Sequence, residues 1–415
     1  MTRRAEICCV AAAVACWGAG LSAAPLTLNL AQTLRDTKTM LASGQPADIV
    51  VLGDSLSFRP GTYLPTFTTL LQNRYGNAGA GYQGMSLWSG GGFNAGWLYT
   101  GVNTDNAPYH SLDGLWNRYD GVAPWPNQAI ITPNGNNVQI QYLKQPGGGS
   151  FLVRRGEYGD VVANISTDGP TGIGTLYHTL APEDTKYTIE PTGGGSFTIL
   201  GHNNISPNSP GVRVHRAANG GWGVNNFLRR DWTFDRQLQL LGTDLVMVWI
   251  GQNDQAYTAA TYQSAINLLV DRVQAAVPSA EVLLIGTYNQ GSEPLAGLVE
   301  GMAQVAQSRG VGFINLYQAA GTPQFFQDNG YLDDGVHFSA AGGVYMGNLL
   351  YNAFVTNGRS IDPSLPRDYN PTFDPNELPI GEDGTLPEPG AATVLLFLSS
   401  VGLARRRRKT DPIRA

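Results

Sequence analysis

Short apolar runs alternate with segments of helical spacing in two stretches of the chain. Runs with the length of buried strands lie at 48–52, 244–250, 281–285 and 311–316. Segments in which apolar residues recur every three or four positions lie at 63–75, 259–276, 295–307 and 339–354. Strands that alternate with helices predict a three-layer α/β fold, in which a parallel sheet is covered by helices on both faces.

Residues 128–205 break this alternation. Their segments alternate apolar and polar residues and are separated by glycine-rich turns, and the sequence Gly-Gly-Gly-Ser-Phe occurs twice, at 147–151 and 193–197. This pattern predicts an inserted all-β domain of the jelly-roll type. The α/β domain is therefore expected in two parts, at 25–127 and 206–358.

The first 24 residues have the pattern of a secretory signal peptide. Arg3 and Arg4 form a basic start, an apolar run covers 7–21, and small residues follow it. A lipoprotein signal and a buried N-terminal helix are the alternatives. All cysteines of the chain fall in this segment, at Cys8, Cys9 and Cys16. The exported protein is therefore expected to have no disulfide, no thiol nucleophile and no thiolate metal site.

The other end of the chain also has the character of a targeting segment. Residues 359–386 are rich in proline and acidic residues, which predicts a stiff linker. Residues 387–409 consist of Pro-Glu-Pro, an apolar run and a basic cluster, and they resemble the PEP-CTERM sorting signal of Gram-negative bacteria. The resemblance implies transient anchoring in the inner membrane, processing by an exosortase-type enzyme, and delivery to the cell surface or extracellular matrix. A plain tail anchor is the alternative.

The charge of the chain argues against a nucleic-acid partner. The formal net charge is −6, and both ends are positive, so the body between them is more acidic than the whole chain. An acidic body binds a polyphosphate poorly.

Three polar motifs stand where a parallel sheet places its functional loops. Gly53-Asp54-Ser55-Leu56 follows the first predicted strand, and Gly251-Gln252-Asn253-Asp254 follows the second. Asp334-Gly335-Val336-His337 lies just before the last predicted helix. Because the loops after the carboxyl ends of parallel strands meet at one edge, we expect these motifs to form one site.

The residue types in these motifs can carry out nucleophilic ester hydrolysis. The hydroxyl of Ser55 becomes an effective nucleophile when a base takes its proton, and His337 can be that base. Asp334 can orient the imidazole and stabilise its protonated form. The oxyanion needs fixed donors, which the Ser55 backbone N–H, the Asn253 amide and a glycine N–H can supply.

The motifs resemble those of the GDSL or SGNH hydrolases, a family of esterases and lipases with a flavodoxin-like α/β fold. The resemblance covers about 47–355 without the insert. It implies Ser55 as nucleophile, Asp334 and His337 as its partners, and Asn253 as an oxyanion donor, with neither a cofactor nor a metal.

The glycine donor of that family has two candidates here. Residues 214–221 resemble the second block of the family, which assigns the donor to Gly220, with Gly221 as the alternative. Gln252 stands where many members have threonine.

A finer resemblance concerns the substrate. Residues 71–85 look like the corresponding stretch of bacterial SGNH polysaccharide and peptidoglycan O-acetylesterases, which also carry a jelly roll between the first two blocks. This implies O-acetyl groups on a glycan as substrate. Aromatic residues crowd 88–125, where they either stack on sugar rings or pack the insert against the catalytic domain.

The functional hypothesis is therefore a secreted serine esterase that deacetylates a cell-envelope or extracellular polysaccharide. Alternatives within its class are a lipase or aryl esterase and an acetyltransferase. A surface protein that binds glycan without catalysis is a second hypothesis. A metal-dependent hydrolase is a third, which the absence of a His/Asp cluster at metal-ligand spacing in the sequence disfavours.

Overall fold

The computed structural model describes residues 24–362, except 60, 86–90, 94–97, 100–109, 120–128, 134, 157 and 182–183; of 91–93 and 98–99 it describes the backbone only. The predicted sorting signal, nearly all of the predicted signal peptide and linker, and most aromatic side chains of 88–125 lie outside these residues and stay predictions. In the described part of the chain, no helix is long and apolar enough to cross a membrane.

The strands of the described residues are β1 (Thr27–Leu28), β2 (Pro46–Gly53), β3 (Gly81–Gln83), β4 (Gly91–Phe93), β5 (Leu98–Tyr99), β6 (Asn117–Tyr119), β7 (Ala129–Ile131), β8 (Asn137–Lys144), β9 (Ser150–Arg155), β10 (Val161–Ser166), β11 (Gly172–Thr179), β12 (Tyr187–Gly193), β13 (Phe197–Ile205), β14 (Gly211–Ala218), β15 (Leu245–Trp249), β16 (Glu281–Gly286) and β17 (Gly312–Asn315). The helices are α1 (Leu30–Thr33), α2 (Arg35–Ala42), α3 (Ser55–Phe58), α4 (Leu64–Tyr75), α5 (Val224–Leu228), α6 (Trp232–Leu240), α7 (Ala259–Ala276), α8 (Glu293–Arg309), α9 (Leu316–Ala319), α10 (Pro323–Asp328) and α11 (Ala340–Val355).

A six-stranded sheet forms the centre of the α/β domain, in the order β1-β17-β16-β15-β2-β14. The four apolar runs predicted as strands are confirmed as β2, β15, β16 and β17. Neighbouring strands are parallel from β17 to β14, whereas β1 runs antiparallel to β17. The sheet is therefore mixed, in contrast to the purely parallel sheet that the sequence predicts, because a short segment before α1 adds to its edge.

Helices cover both faces of this sheet, as the sequence predicts. Val50 and Leu52 of β2 pack in one core with α5 to α8, while Ile49 and Val51 pack in a second core with α4 and α11. Side chains alternate between the two faces of a strand, so an uninterrupted apolar run supplies both cores. The two cores fix β2 in the middle of the domain.

Two antiparallel sheets form a sandwich between the two parts of the α/β domain. Their strand orders are β10-β9-β12-β7-β4 and β11-β8-β13-β6-β5, and β3 also pairs with β13. Phe151 of one sheet packs against Tyr142 and Phe197 of the other in a shared core. The strands of the sandwich begin at residue 81, upstream of the predicted boundary at 128, because β3 and β6 both pair with β13. Its jelly-roll topology stays a prediction.

The repeated Gly-Gly-Gly-Ser-Phe sequence has a structural reason. The two copies face each other, and the Gly149 N–H donates to the Ser196 carbonyl at 2.9 Å. A Cβ on Gly149 would lie 2.1 Å from the Gly195 carbonyl oxygen, so this backbone approach requires glycine. The phenylalanines that end the copies, Phe151 and Phe197, have ring centroids 5.0 Å apart. The recurrence therefore arises from two turns that pack together.

The sandwich is attached to the α/β domain along the edge strand β14. The Tyr82 N–H of β3 donates to Nδ1 of His215 on β14 at 2.8 Å. Nε2 of His215 lies 2.8 Å from Oδ1 of Asp48, at the start of β2. On another side, Gln237 of α6 donates to Gln141 of β8 at 2.7 Å. The sandwich thus lies beside the strand that neighbours β2.

Candidate active site

The motifs predicted from the sequence leave the sheet at one edge. In the parallel register, Gly53 of β2 stands opposite Ala218 of β14 and Trp249 of β15. The loops that start with Asp54, Asn219 and Ile250 therefore begin side by side. The Asn219 N–H also donates to the Gly53 carbonyl at 3.3 Å, which ties the first two loops together.

Ser55 occupies a tight turn from strand to helix. It is the first residue of α3, and the carboxylate of Asp54 caps this helix by accepting the Leu56 N–H at 2.9 Å. A Cβ on Gly53 would lie 2.3 Å from Oγ of Ser57, so only glycine lets the helix begin here. The turn fixes the Ser55 side chain at the carboxyl edge of the sheet.

The structure brings Ser55, His337 and Asp334 together in a hydrogen-bonded triad. Nε2 of His337 lies 2.9 Å from Oγ of Ser55. Nδ1 of the same ring lies 2.9 and 2.8 Å from Oδ1 and Oδ2 of Asp334. Because a carboxylate can only accept, Nδ1 carries the proton and leaves Nε2 free to accept the proton of Ser55.

Several donors hold Asp334 in its charged form. Its Oδ1 accepts the backbone N–H of His337 at 2.8 Å and that of Val336 at 3.2 Å. These bonds, with the His337 backbone bond first and its side-chain bond next, lower the pKa of Asp334 well below its usual range. Nη1 of Arg59 adds a further bond to Oδ2 at 3.0 Å. Sequence reasoning missed Arg59, because its contact to Asp334 spans 275 residues.

The oxyanion candidates lie on the two loops beside Ser55. Asn253 is exposed, and its Nδ2 donates to the Trp222 carbonyl at 2.9 Å, which orients the amide and joins the two loops. Gly220 is exposed as well, and a Cβ added to it would meet no protein atom within 4 Å. Gly221 has a φ of +73°, a conformation that favours glycine whatever its role. The positive φ explains by itself why residue 221 is a glycine. No such constraint explains the glycine at position 220, so Gly220 remains the candidate donor.

Two buried carboxyls lie under the site. Burial raises the pKa of Asp54 to about 7, and the neighbouring Asp254 adds to this rise. Burial also raises the pKa of Asp254 to about 6. Above about pH 4, the unfolded chain releases the protons of these two carboxyl groups, whereas the folded protein keeps them. The free energy of unfolding therefore falls as pH rises toward neutrality.

Asn253→Ala is expected to lower kcat by roughly a hundredfold or more with little change in KM, because an oxyanion donor acts mainly in the transition state. Steady-state kinetics on p-nitrophenyl acetate measure this. Asn225→Ala, which removes an exposed amide from the nearby helix α5, is the matched control. A raised KM at unchanged kcat would instead make Asn253 a substrate-binding residue.

The comparison with protein families supplies the class of reaction. Residues 197–343 match the model of the GDSL-like lipase/acylhydrolase family. The protein is an ester hydrolase. The matched range of this esterase contains Gly220, Asn253, Asp334 and His337. Ser55 lies before this range in the chain, and the sandwich strands β3 to β12 lie between them. No curated protein matches the chain.

The esterase shares its fold with a solved peptidoglycan O-acetylesterase. A peptidoglycan O-acetylesterase superposes with a TM-score of 0.64 at 19% identity, over 79% of this chain and 96% of that one. A lipase/acylhydrolase from Enterococcus faecalis gives 0.30 at 21% identity, over 35% and 77%. A family two carbohydrate esterase from Clostridium thermocellum gives 0.28 at 14% identity, over 63% and 98%. The similarity to the peptidoglycan O-acetylesterase covers more residues of this chain than the α/β domain contains, so it extends into the sandwich.

Proposed function

We propose that the esterase removes acetyl groups from a polysaccharide of the cell envelope or extracellular matrix. The observation that carries this proposal is the position of the sandwich relative to the triad. The sandwich is attached along β14, the strand beside that of Ser55. The loop before β6 reaches the catalytic edge, where the Asp113 carbonyl accepts the side-chain amide of Asn219 at 3.1 Å. A polymer held by the sandwich can therefore extend over Gly220 to Ser55.

The fold of the solved peptidoglycan O-acetylesterase supports the same substrate class. That protein is named for acetyl esters on a glycan, and its similarity covers 96% of its length. A chain that shares both the hydrolase sheet and part of the sandwich has the elements needed for such a substrate.

The triad geometry suits a two-step transfer of the acetyl group. Oγ of Ser55 attacks the ester carbonyl carbon while its proton passes to Nε2 of His337. The N–H of Ser55, the N–H of Gly220 and the amide of Asn253 stabilise the oxyanion. His337 then returns the proton to the sugar oxygen as the ester bond breaks, which leaves acetyl-Ser55. Water, deprotonated by His337, attacks the carbonyl carbon of this intermediate. His337 then returns the proton to Oγ of Ser55 as the acyl bond breaks and acetate leaves.

We expect acetyl esters to be hydrolysed at least about tenfold faster, in kcat/KM, than octanoyl esters, because the body of the chain has no broad, continuous apolar stretch that would form a tunnel for a long acyl chain. Release of acetate from a panel of acetylated glycans, compared with hydrolysis of p-nitrophenyl esters of rising chain length, measures this preference. Faster hydrolysis of octanoyl esters would instead assign the protein to the lipases.

The role of the polymer is tested with the intact chain, because deleting 128–205 alone would remove the partners of β3 and β6. Ser55→Ala is expected to sediment with an insoluble acetylated glycan without releasing acetate, and the wild type to release it. Binding by the wild type without acetate release would favour a glycan-binding protein without catalysis. Acetyl transfer to a second sugar, in place of acetate release, would indicate an acetyltransferase.

A further inference from the structure

Tyr288 is a buried residue that touches the catalytic base loop without belonging to the triad. It follows β16, its side chain is fully buried, and its hydroxyl donates to the Val336 carbonyl at 2.5 Å. Val336 immediately precedes His337. The hydroxyl therefore fixes the backbone from which the base projects.

A chain of hydrogen bonds continues from Tyr288 to the loop of the oxyanion candidate. Nε2 of Gln290 donates to the Tyr288 hydroxyl at 2.8 Å, and Nε2 of Gln252 donates to Oε1 of Gln290 at 2.6 Å. A carbonyl can only accept, so the Tyr288 hydroxyl must donate to Val336 and accept from Gln290. This sets the direction of each bond in the chain.

The same chain ends beside the oxyanion candidate. Gln252 directly precedes Asn253, and it lies in the loop after β15, the strand paired with that of Ser55. The loops of the oxyanion candidate and the base are therefore connected through Gln252, Gln290 and Tyr288. This connection is independent of the bonds within the triad.

Aromatic packing holds the Tyr288 ring in place. Its centroid lies 4.9 Å from that of Phe338 and 4.8 Å from that of Phe326. Phe338 follows His337 directly. The Tyr288 ring therefore contacts the residue after the base, and its hydroxyl bonds to the residue before the base. Tyr288→Phe keeps these ring contacts and removes only the hydroxyl.

We propose that Tyr288 is a positioning residue, which fixes the distance between His337 and Ser55. Through Gln290 and Gln252, it also keeps His337 aligned with the Asn253 loop. The inference rests on the proposed function, because it takes Ser55 and His337 as the catalytic pair. A displacement of about 1 Å in a reacting group lowers a rate by roughly a hundredfold. Among the described residues, no comparable buried side chain anchors the exposed loop at 333–335.

Tyr288→Phe is expected to lower kcat about ten- to a hundredfold at unchanged KM on p-nitrophenyl acetate, with a melting temperature close to that of the wild type. The rate at which an organophosphonate labels Ser55 falls in the same proportion, because labelling needs the same base. Tyr345→Phe is the matched control, since its hydroxyl donates to the Ala320 carbonyl at 2.9 Å in the same aromatic cluster. Its kcat stays within about twofold of the wild-type value.

Gln290→Glu tests the direction of the bonds. A carboxylate cannot donate to Tyr288, and it draws the hydroxyl away from Val336, so this variant reproduces the loss in kcat of Tyr288→Phe. The double variant loses no more than either single one, because both changes break one chain.

The inference is overturned if Tyr288→Phe matches Tyr345→Phe in kcat, or if it lowers the melting temperature and leaves kcat and labelling unchanged. Ser55→Ala, measured in parallel, separates the two proposals. Full activity of Ser55→Ala removes the proposed function itself, whereas an inactive Ser55→Ala beside a fully active Tyr288→Phe removes only the role of Tyr288.

Discussion

Ser55→Ala is expected to lower kcat for ester hydrolysis by roughly four orders of magnitude or more, and to leave the fold intact. The variant removes the one hydroxyl that lies 2.9 Å from Nε2 of His337. The helix that Ser55 begins is capped by the side chain of Asp54, so its start does not depend on the serine hydroxyl. Steady-state kinetics on p-nitrophenyl acetate and a thermal unfolding curve measure the two effects.

A second serine on the same short helix provides the control for this variant. Ser57→Ala removes a hydroxyl that bonds to the Tyr63 hydroxyl at 2.9 Å and takes no part in the triad. It should retain activity within a few-fold of the wild type. An organophosphonate should label Ser55 in the wild type and in Ser57→Ala. Labelling of another serine, or an active Ser55→Ala, would contradict the triad.

Asp334→Asn should lower kcat by roughly 10³- to 10⁴-fold, because it favours the wrong tautomer of His337. The carboxylate requires the proton on Nδ1, from which it accepts a bond at 2.8 Å. An amide that keeps its oxygen on the backbone N–H groups of Val336 and His337 turns its NH₂ group toward Nδ1. The ring proton then moves to Nε2, which faces Ser55 and can no longer accept a proton.

Asp333→Asn is the matched control, since Asp333 is exposed and lies next to Asp334 in the chain. It makes the same change of one oxygen to an amide group outside the triad, and it should leave kcat within about twofold. Activity of Asp334→Asn within tenfold of the wild type would mean that another group orients His337.

Strands that are buried on both faces were predictable from the sequence, and the edge strands were not. β2 and β15 to β17 contain the apolar runs that two helical layers impose. β14 carries Arg213, His215 and Arg216, so it shows no such run. Its polar side chains are accommodated by contacts that only the fold creates, such as the bonds of Arg213 and His215 to Asp48. β1 has only two residues and is too short to leave a pattern.

The triad was predictable because each of its motifs is local in the sequence. Asp334 and His337 share one turn, and Ser55 follows directly on an apolar strand. Arg59 and Tyr288 leave no such signal, because their bonds to the base loop join residues far apart in the chain. The sequence alone does not show which of the two adjacent glycines, Gly220 or Gly221, has a backbone that requires glycine. The φ of +73° at Gly221 distinguishes them.

The place of the sandwich in the chain also affects how the protein is made. β2 ends at Gly53, and its neighbour β14 begins at Gly211, so about 160 residues must be synthesised between them, which takes roughly 8–30 s at common elongation rates. During that time, β2 has neither β14 nor β15 to pair with, and an apolar strand with two open edges is a template for aggregation. The strands of the sandwich all lie within 81–205, so they can complete their pairing once β13 has emerged, before β14 is synthesised. We therefore expect the nucleophile strand to benefit from a chaperone during synthesis.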